Sequence, residues 1–235
     1  MSEIGKIWGV GVGPGDPELL TLKAHRIITS ADVIAYPAPD NGDSLARSII
    51  AEYLPGTQEE IIIRISMDPA SFPPRDVYEQ AVNEISTHVA NGKSVAILCE
   101  GDPFFYGSFM YMFEKLAQRG PVEVVPGVSS MMASAAALQT PLASRNDVVC
   151  VIPATLEPND IQRRLEAADM AVFIKVGRHI SKVKTVLQDA RLLEAAHYIE
   201  RATMTTEQCL PLTEVTTDTA PYFSMILVHR RGKAL

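Results

Sequence analysis

Cysteine is scarce in this chain and poorly placed for a shared site. Cys99, Cys150 and Cys209 are the only three in 235 residues, widely spaced, with no Cys-x-x-Cys pair. That excludes a disulfide scaffold and fits reduced, mostly buried thiols in the cytoplasm. The five histidines are equally dispersed and none has a second at ligand spacing, so no metal is expected. Long apolar runs are missing as well. Each is broken by charge or glycine below the length that crosses a bilayer. No basic region followed by an apolar run opens the chain, so no signal peptide is expected. Positive charge is in deficit, with 21 Lys and Arg against 28 Asp and Glu. A net charge of −7 without a basic cluster argues against a nucleic-acid partner. Gly-x-Ser-x-Gly, His-Glu-x-x-His and the P-loop are absent, which removes the common nucleophile, zinc-hydrolase and nucleotide-phosphate chemistries.

What remains is the composition of a folded enzyme, 47% hydrophobic and 21% charged. The apolar pattern alternates strand and helix from a first strand at 7–12 to a strand at 122–125, as in a mostly parallel sheet. A helix is expected over 17–30, starting at the cap Asp16-Pro17, and a short strand over 33–36, stopped by Pro37 and Pro39. After Pro126-Gly127 the texture changes to a small-residue helix over 128–138, then further strands and helices. The last two strands, 208–215 and 222–229, have no helix between them and are expected to pair antiparallel. Two α/β domains, 1–120 and 121–235, follow from this pattern. There is no internal repeat or long linker, so close docking is expected.

Two glycine-proline loops stand at strand ends. Gly9-Val10-Gly11-Val12-Gly13-Pro14-Gly15-Asp16-Pro17 runs through and past the end of the first strand, and Glu100-Gly101-Asp102-Pro103-Phe104-Phe105-Tyr106-Gly107 follows the strand at 95–98. Loops at the carboxyl ends of α/β strands bring bare backbone up to small molecules. The dinucleotide fingerprint Gly-x-Gly-x-x-Gly fails here. Counting from Gly9 the sixth residue is Pro14, and from Gly11 it is Asp16. Capping explains Asp16 and Pro17. The alternating Gly9, Gly11, Gly13 and Gly15 point to close approach of a ligand.

The stretch VGVGPGDPELLTLKA at 10–24, the loop GDPFFYG at 101–107 and PGVSS at 126–130 resemble the tetrapyrrole methylases, in order and over nearly the whole chain. Within that family, Tyr36-Pro37, CEGDPFFYGSFMY at 99–111 and PGVSSMMASAA at 126–136 most resemble the precorrin-2 C(20)-methyltransferases. The resemblance implies a non-Rossmann fold of two docked α/β domains with the ligand cleft between them. It implies S-adenosyl-L-methionine as methyl donor, no metal, a cytoplasmic homodimer, and conversion of precorrin-2 to precorrin-3A in cobalamin biosynthesis. Siblings acting on the cobalt-loaded intermediate or at another ring carbon share these features. A diphthine synthase-like methylase would act on a protein, and a binding protein without turnover is the non-enzyme alternative.

Carried over residue by residue, the resemblance nominates Pro14, Gly101, Asp102, Pro103, Tyr106, Ser129, Ser130 and Val176 for the donor. Lys175 and Arg178 make the turn at Val176 more basic than an adenine or methionine contact calls for. Transfer from a sulfonium needs alignment and exclusion of water more than a dedicated nucleophile. A base must still take the meso proton, and Asp102 and Glu100 are the carboxylates in the second loop. Asp102 has a second reading, a turn in which it bonds its own backbone. Tyr106 either contacts ligand or closes the turn; Phe104 and Phe105 either flank a macrocycle or pack in the core. The acceptor is a polycarboxylate that the net charge repels, so local arginines are needed. Arg47, Arg75 and Arg145 are nominated, each against the alternative of a solvated side chain.

Overall fold

The computed structural model describes residues 4–66 and 75–232. It divides into two compact units, Met1–Ser129 and Ser130–Leu235. The first holds β1 (Ile7–Gly11), α1 (Leu22–Ser30), β2 (Val33–Pro39), α2 (Leu45–Ile49), β3 (Glu59–Ile65), α3 (Arg75–Ala90), β4 (Val95–Cys99), α4 (Met110–Ala117) and β5 (Val122–Val125). Its sheet runs β3-β2-β4-β1-β5 and every pairing is parallel. With β4 between β2 and β1, this is not the order of a dinucleotide-binding sheet. The junction falls later than residue 120 because β5 hydrogen-bonds β1 and so belongs to the first sheet.

Both faces of this sheet are covered, as a parallel sheet requires. Ala24, Ile27, Ile28, Ala46 and Ile49 of α1 and α2 pack on one face with Val10, Ile34 and Leu98. Tyr78, Val82, Ile85, Met112 and Leu116 of α3 and α4 pack on the other with Ile7, Ala35 and Ile97. Neighbouring strands β1 and β4 therefore send their following helices to opposite faces. That is the switch point at which open α/β sheets place ligands.

Two local expectations change. The helix expected over 17–30 is a 3-10 turn, Pro17–Leu19, followed by α1. Asp16 accepts from Glu18 N–H at 2.8 Å, but Leu20 and Thr21 are extended, and Thr21 Oγ1 starts α1 anew by accepting from Ala24 N–H at 3.1 Å. β2 runs through Pro37 to Pro39 instead of stopping before them. Val33 N–H points to the β4 side, toward Ser94 O, so by the period of two Pro37 and Pro39 lack their donors on that same side. β4 pairs β2 only as far as Ala35, so no ladder bond is lost there, while β3 stays paired through Pro39.

The second unit holds α5 (Ser130–Ala137), β6 (Val149–Pro153), α6 (Pro158–Glu166), β7 (Met170–Ile174), α7 (Ile180–Asp189), β8 (Ala196–Glu200), β9 (Gln208–Pro211) and β10 (Ser224–His229). Its sheet order is β6-β7-β10-β8-β9. The expected pairing of the last two strands does not form. β10 inserts antiparallel between β7 and β8, and β9 turns back on β8. The apolar sequence of β10, buried from Ile226 to His229, explains its central place, whereas the mostly exposed β9 takes the edge. Among the described residues no helix is long and apolar enough to cross a membrane.

Gly9 lies under the ring of Phe109, and a β-carbon there would stand 2.5 Å from the ring. Gly9→Ala is expected to cost about 1–3 kcal/mol through overpacking. Phe109→Leu should relieve part of it, so the double variant loses less than the sum of the singles in urea unfolding.

Candidate functional site

The loops after β1, β4 and β5 converge at the carboxyl edge of the first sheet. Gly13 and Gly101 form an isolated antiparallel bridge, with Gly101 N–H donating to Gly13 O at 2.8 Å and Gly13 N–H to Gly101 O at 3.3 Å. Gly101 sits at φ +64° and Gly13 at φ +80°, backbone that favours glycine. A β-carbon on Gly11 would lie 2.6 Å from Gly101 O and Gly127 N, and one on Gly127 would lie 2.1 Å from Gly101 O. Three of the alternating glycines thus meet the protein itself: Gly9 faces Phe109, Gly11 faces Gly101 and Gly127, and Gly13 takes left-handed backbone in its bridge.

Asp102 fastens this junction. Its Oδ1 accepts from Phe104 N–H at 2.9 Å and its Oδ2 from Gly127 N–H at 3.1 Å. The first bond is the turn that Asp-Pro favours; the second ties the β4 loop to the β5 loop. Glu100, one residue earlier, reaches the other way, accepting from Ala46 N–H of α2 at 3.3 Å. Loss of water around this carboxyl raises its pKa above the ordinary glutamate value, against the opposing hydrogen bonds from its own backbone and from Ala46. Beneath it, burial pushes the Cys99 thiol up to about 11, which makes it an inert core group.

Pro14 and Pro103 are buried, and Ser129 is half-buried. Tyr106 and Phe104 are each 49% exposed at the same loop. Tyr106 takes φ +57° and meets Phe105 edge-on at 5.1 Å, while Phe104 stands edge-on to Phe113 at 5.0 Å. Pro14, Gly101, Asp102, Pro103 and Tyr106 are thus brought to one edge of the first unit. Ser130 opens α5 of the second unit. The Val176 side chain is buried in the core under β7, leaving only its backbone to face a ligand, beside an exposed Lys175 at φ +57°.

The nominated arginines separate. Arg47 of α2 is already held by Glu60, Nε to Oε2 at 3.1 Å and Nη2 to Oε1 at 3.0 Å, and Tyr36 Oη donates to the same carboxylate at 2.5 Å. Those bonds, Arg47 first, hold the Glu60 carboxyl below its ordinary pKa. Arg75 is exposed at the start of α3, on the carboxyl side of β3. Arg145 is exposed at φ +50° ahead of β6. It therefore lies at the amino end of the second sheet, opposite the turn at Lys175. Its neighbour Asp147 is anchored there by Ser144, His229 and Arg231. The Glu60 clamp was not visible in the sequence; it depends on the parallel register that sets Tyr36 opposite Ile62. Among the described residues no cluster of three or more His, Cys, Asp or Glu stands where it could hold a metal.

A model of the tetrapyrrole (corrin/porphyrin) methylases matches residues 6–216. The chain is 42% identical over 236 residues to the cobalamin biosynthesis protein CobIJ of Mycobacterium tuberculosis, covering 97% of this chain and 46% of that protein. It thus spans about half the length of that relative. To a precorrin-2 C(20)-methyltransferase of a Sinorhizobium species it is 38% identical, covering 96% and 95%. To the cobalt-precorrin-2 C(20)-methyltransferase of Salmonella typhimurium it is 34% identical, covering 97% of each. The uroporphyrin-III C-methyl transferase of Thermus thermophilus, solved in complex with S-adenyl homocysteine, superposes with a TM-score of 0.70 at 26% identity, over 96% and 92% of the two chains.

Because Glu100 holds its proton more tightly in the folded chain than in the unfolded one, its ionisation opposes folding. That cost is absent below the ordinary glutamate range and grows as pH rises from there to the raised pKa. Glu100→Gln should remove it. Melting curves of variant and wild type are expected to converge at acid pH and separate in the variant's favour toward neutrality. Parallel curves would contradict this.

Proposed function

The chain belongs to the tetrapyrrole (corrin/porphyrin) methylase family, and from that premise we propose that it methylates C(20) of precorrin-2, giving precorrin-3A. The observation that carries the reading is the near end-to-end similarity, at 38% identity, to a protein of that activity. The lower identity to the cobalt-precorrin-2 relative favours the metal-free acceptor. The reading places the chain in cobalamin biosynthesis, working as a homodimer with S-adenosyl-L-methionine as donor.

The first unit's edge suits that donor by its chemistry. Backbone amides and carbonyls of the Gly101–Tyr106 loop match an amino-carboxylate, exposed aromatics match a flat base, and Ser129 adds a hydroxyl. When bound, S-adenosylmethionine supplies an activated methyl, its carbon–sulfur bond breaking as the carbon–carbon bond to C(20) forms. The chain's residues then have three tasks. Glycine packing and the Asp102 brace fix the loop before ligand arrives, so little ordering is left to bind it. Phe104 and Tyr106 exclude water from beside the transfer. The proton released from C(20) goes to a carboxylate of the second loop. Asp102, the first nominee, already accepts a backbone N–H on each oxygen, whereas Glu100, turned toward α2, has a raised pKa suited to keeping a proton.

Incubation with precorrin-2 and methyl-labelled donor should yield label at C(20) by carbon NMR. Calorimetry should show binding of S-adenosylhomocysteine and none of NADH. Label at another ring carbon, or no transfer, would contradict the reading. Asp102→Asn replaces one acceptor oxygen with a donor facing Gly127 or Phe104 N–H. A stability loss of about 1–3 kcal/mol and weaker S-adenosylhomocysteine binding are expected.

A further inference from the structure

α2 (Leu45–Ile49) has five residues, too few to keep its place by its own hydrogen bonds. Ala46 and Ile49 bury its inner face, and polar contacts from β2, β3 and the end of β4 hold the rest. Ser44 Oγ caps it, accepting from Arg47 N–H at 3.2 Å and donating to Pro37 O at 2.5 Å. Glu100 accepts from Ala46 N–H at 3.3 Å. Glu60 takes the Arg47 guanidinium in a fork, Nε at 3.1 Å and Nη2 at 3.0 Å.

Glu60 is itself anchored in the sheet. Ile34 pairs with Glu60, so Tyr36, two residues further along β2, lies on the same face. Buried Tyr36 donates its hydroxyl to Glu60 Oε2, the oxygen that also meets Arg47 Nε. Arg47 first, then Tyr36, hold the Glu60 carboxyl below its ordinary pKa, so the clamp is charged at neutral pH. Burial, and then Glu60, push the Tyr36 hydroxyl up, which keeps it a donor. The clamp grips the residue next to the amide on which Glu100 rests.

We propose that Glu60 is a positioning residue for methyl transfer: through Arg47 it holds α2 so that the Ala46 N–H stays on the Glu100 carboxylate. The inference rests on the reading of Glu100 as the group that takes the C(20) proton. At 3.3 Å the Ala46 bond is long, and a small shift of α2 loses it. A carboxyl that stays buried and loses a donor ionises less readily. The titratable groups beside Glu100 are the Cys99 thiol, kept neutral by burial, and Asp102, whose oxygens take Phe104 and Gly127 N–H. Neither replaces the Ala46 donor, so Glu60 sets the pH at which Glu100 becomes a base.

The test is Glu60→Gln, Arg47→Gln and the double variant, with precorrin-2 as acceptor. Each single should move the acid limb of the kcat profile up by about one pH unit, lowering kcat about tenfold on that limb and little above it. Both KM values should stay within about twofold, and S-adenosylhomocysteine affinity should stay as in wild type. The double variant should lose no more than either single, since both break one clamp. An unmoved or lowered limb, or a loss equal at every pH, would overturn the proposal and leave the methyl-transfer reading standing. A raised acceptor KM in Arg47→Gln alone would assign Arg47 to the substrate and overturn it as well. If the wild type transfers no methyl to precorrin-2, the reading of the reaction falls and melting curves decide whether Glu60 governs Glu100. Near neutrality Glu100→Gln should raise Tm by more on the Glu60→Gln background than on wild type, because the buried carboxylate has lost its donor. Equal or smaller gains on that background would overturn the coupling.

Discussion

At the carboxyl ends of β1, β4 and β5, three backbones approach more closely than any side chain would allow. Gly11 and Gly127 have no room for a β-carbon against each other and the Gly101 carbonyl, and Asp102 ties the β4 and β5 loops through the Gly127 N–H. The rest of the first unit is arranged around that contact. β1 and β4 are adjacent in the sheet, their helices depart to opposite faces, and the aromatic loop 104–106 is carried on the junction. The platform proposed for the donor is thus rigid because it is packed backbone to backbone.

The family and the loops were legible because glycine, proline and aspartate at strand ends have few structural uses. What those residues do was less legible. Alternating glycines read as room for a ligand, and at Gly9 and Gly11 the neighbours are Phe109, Gly101 and Gly127. Composition cannot tell the two apart, since either neighbour forbids a β-carbon. Pro37 and Pro39 looked like strand breakers, yet they sit where β4 has already left the ladder. The antiparallel partner of β10 was also hidden, because pairing depends on which strand is apolar enough for the centre of a sheet. Arg47 carried no sign of Glu60, and Val176 none of its burial.

The cations of the two units differ in how far they are already paired. The first unit's nominated cation, Arg47, is neutralised by a bidentate carboxylate, a pairing that holds the guanidinium and leaves little field for a polyanion. Arg145 lies at the amino end of its sheet, away from the β7 turn. Arg201 is likewise paired, with Glu200 at 2.6 Å, whereas Lys175 stands exposed at the β7 turn.

The interlock is tested most directly by hydrogen exchange in the ligand-free protein, read at the amides of Gly13, Gly101 and Gly127. The account predicts protection comparable to the interior amides of β1 and β4, since each of these N–H groups donates within the junction. Exchange as fast as that of an exposed loop, with protection gained only when S-adenosylhomocysteine is added, would contradict it.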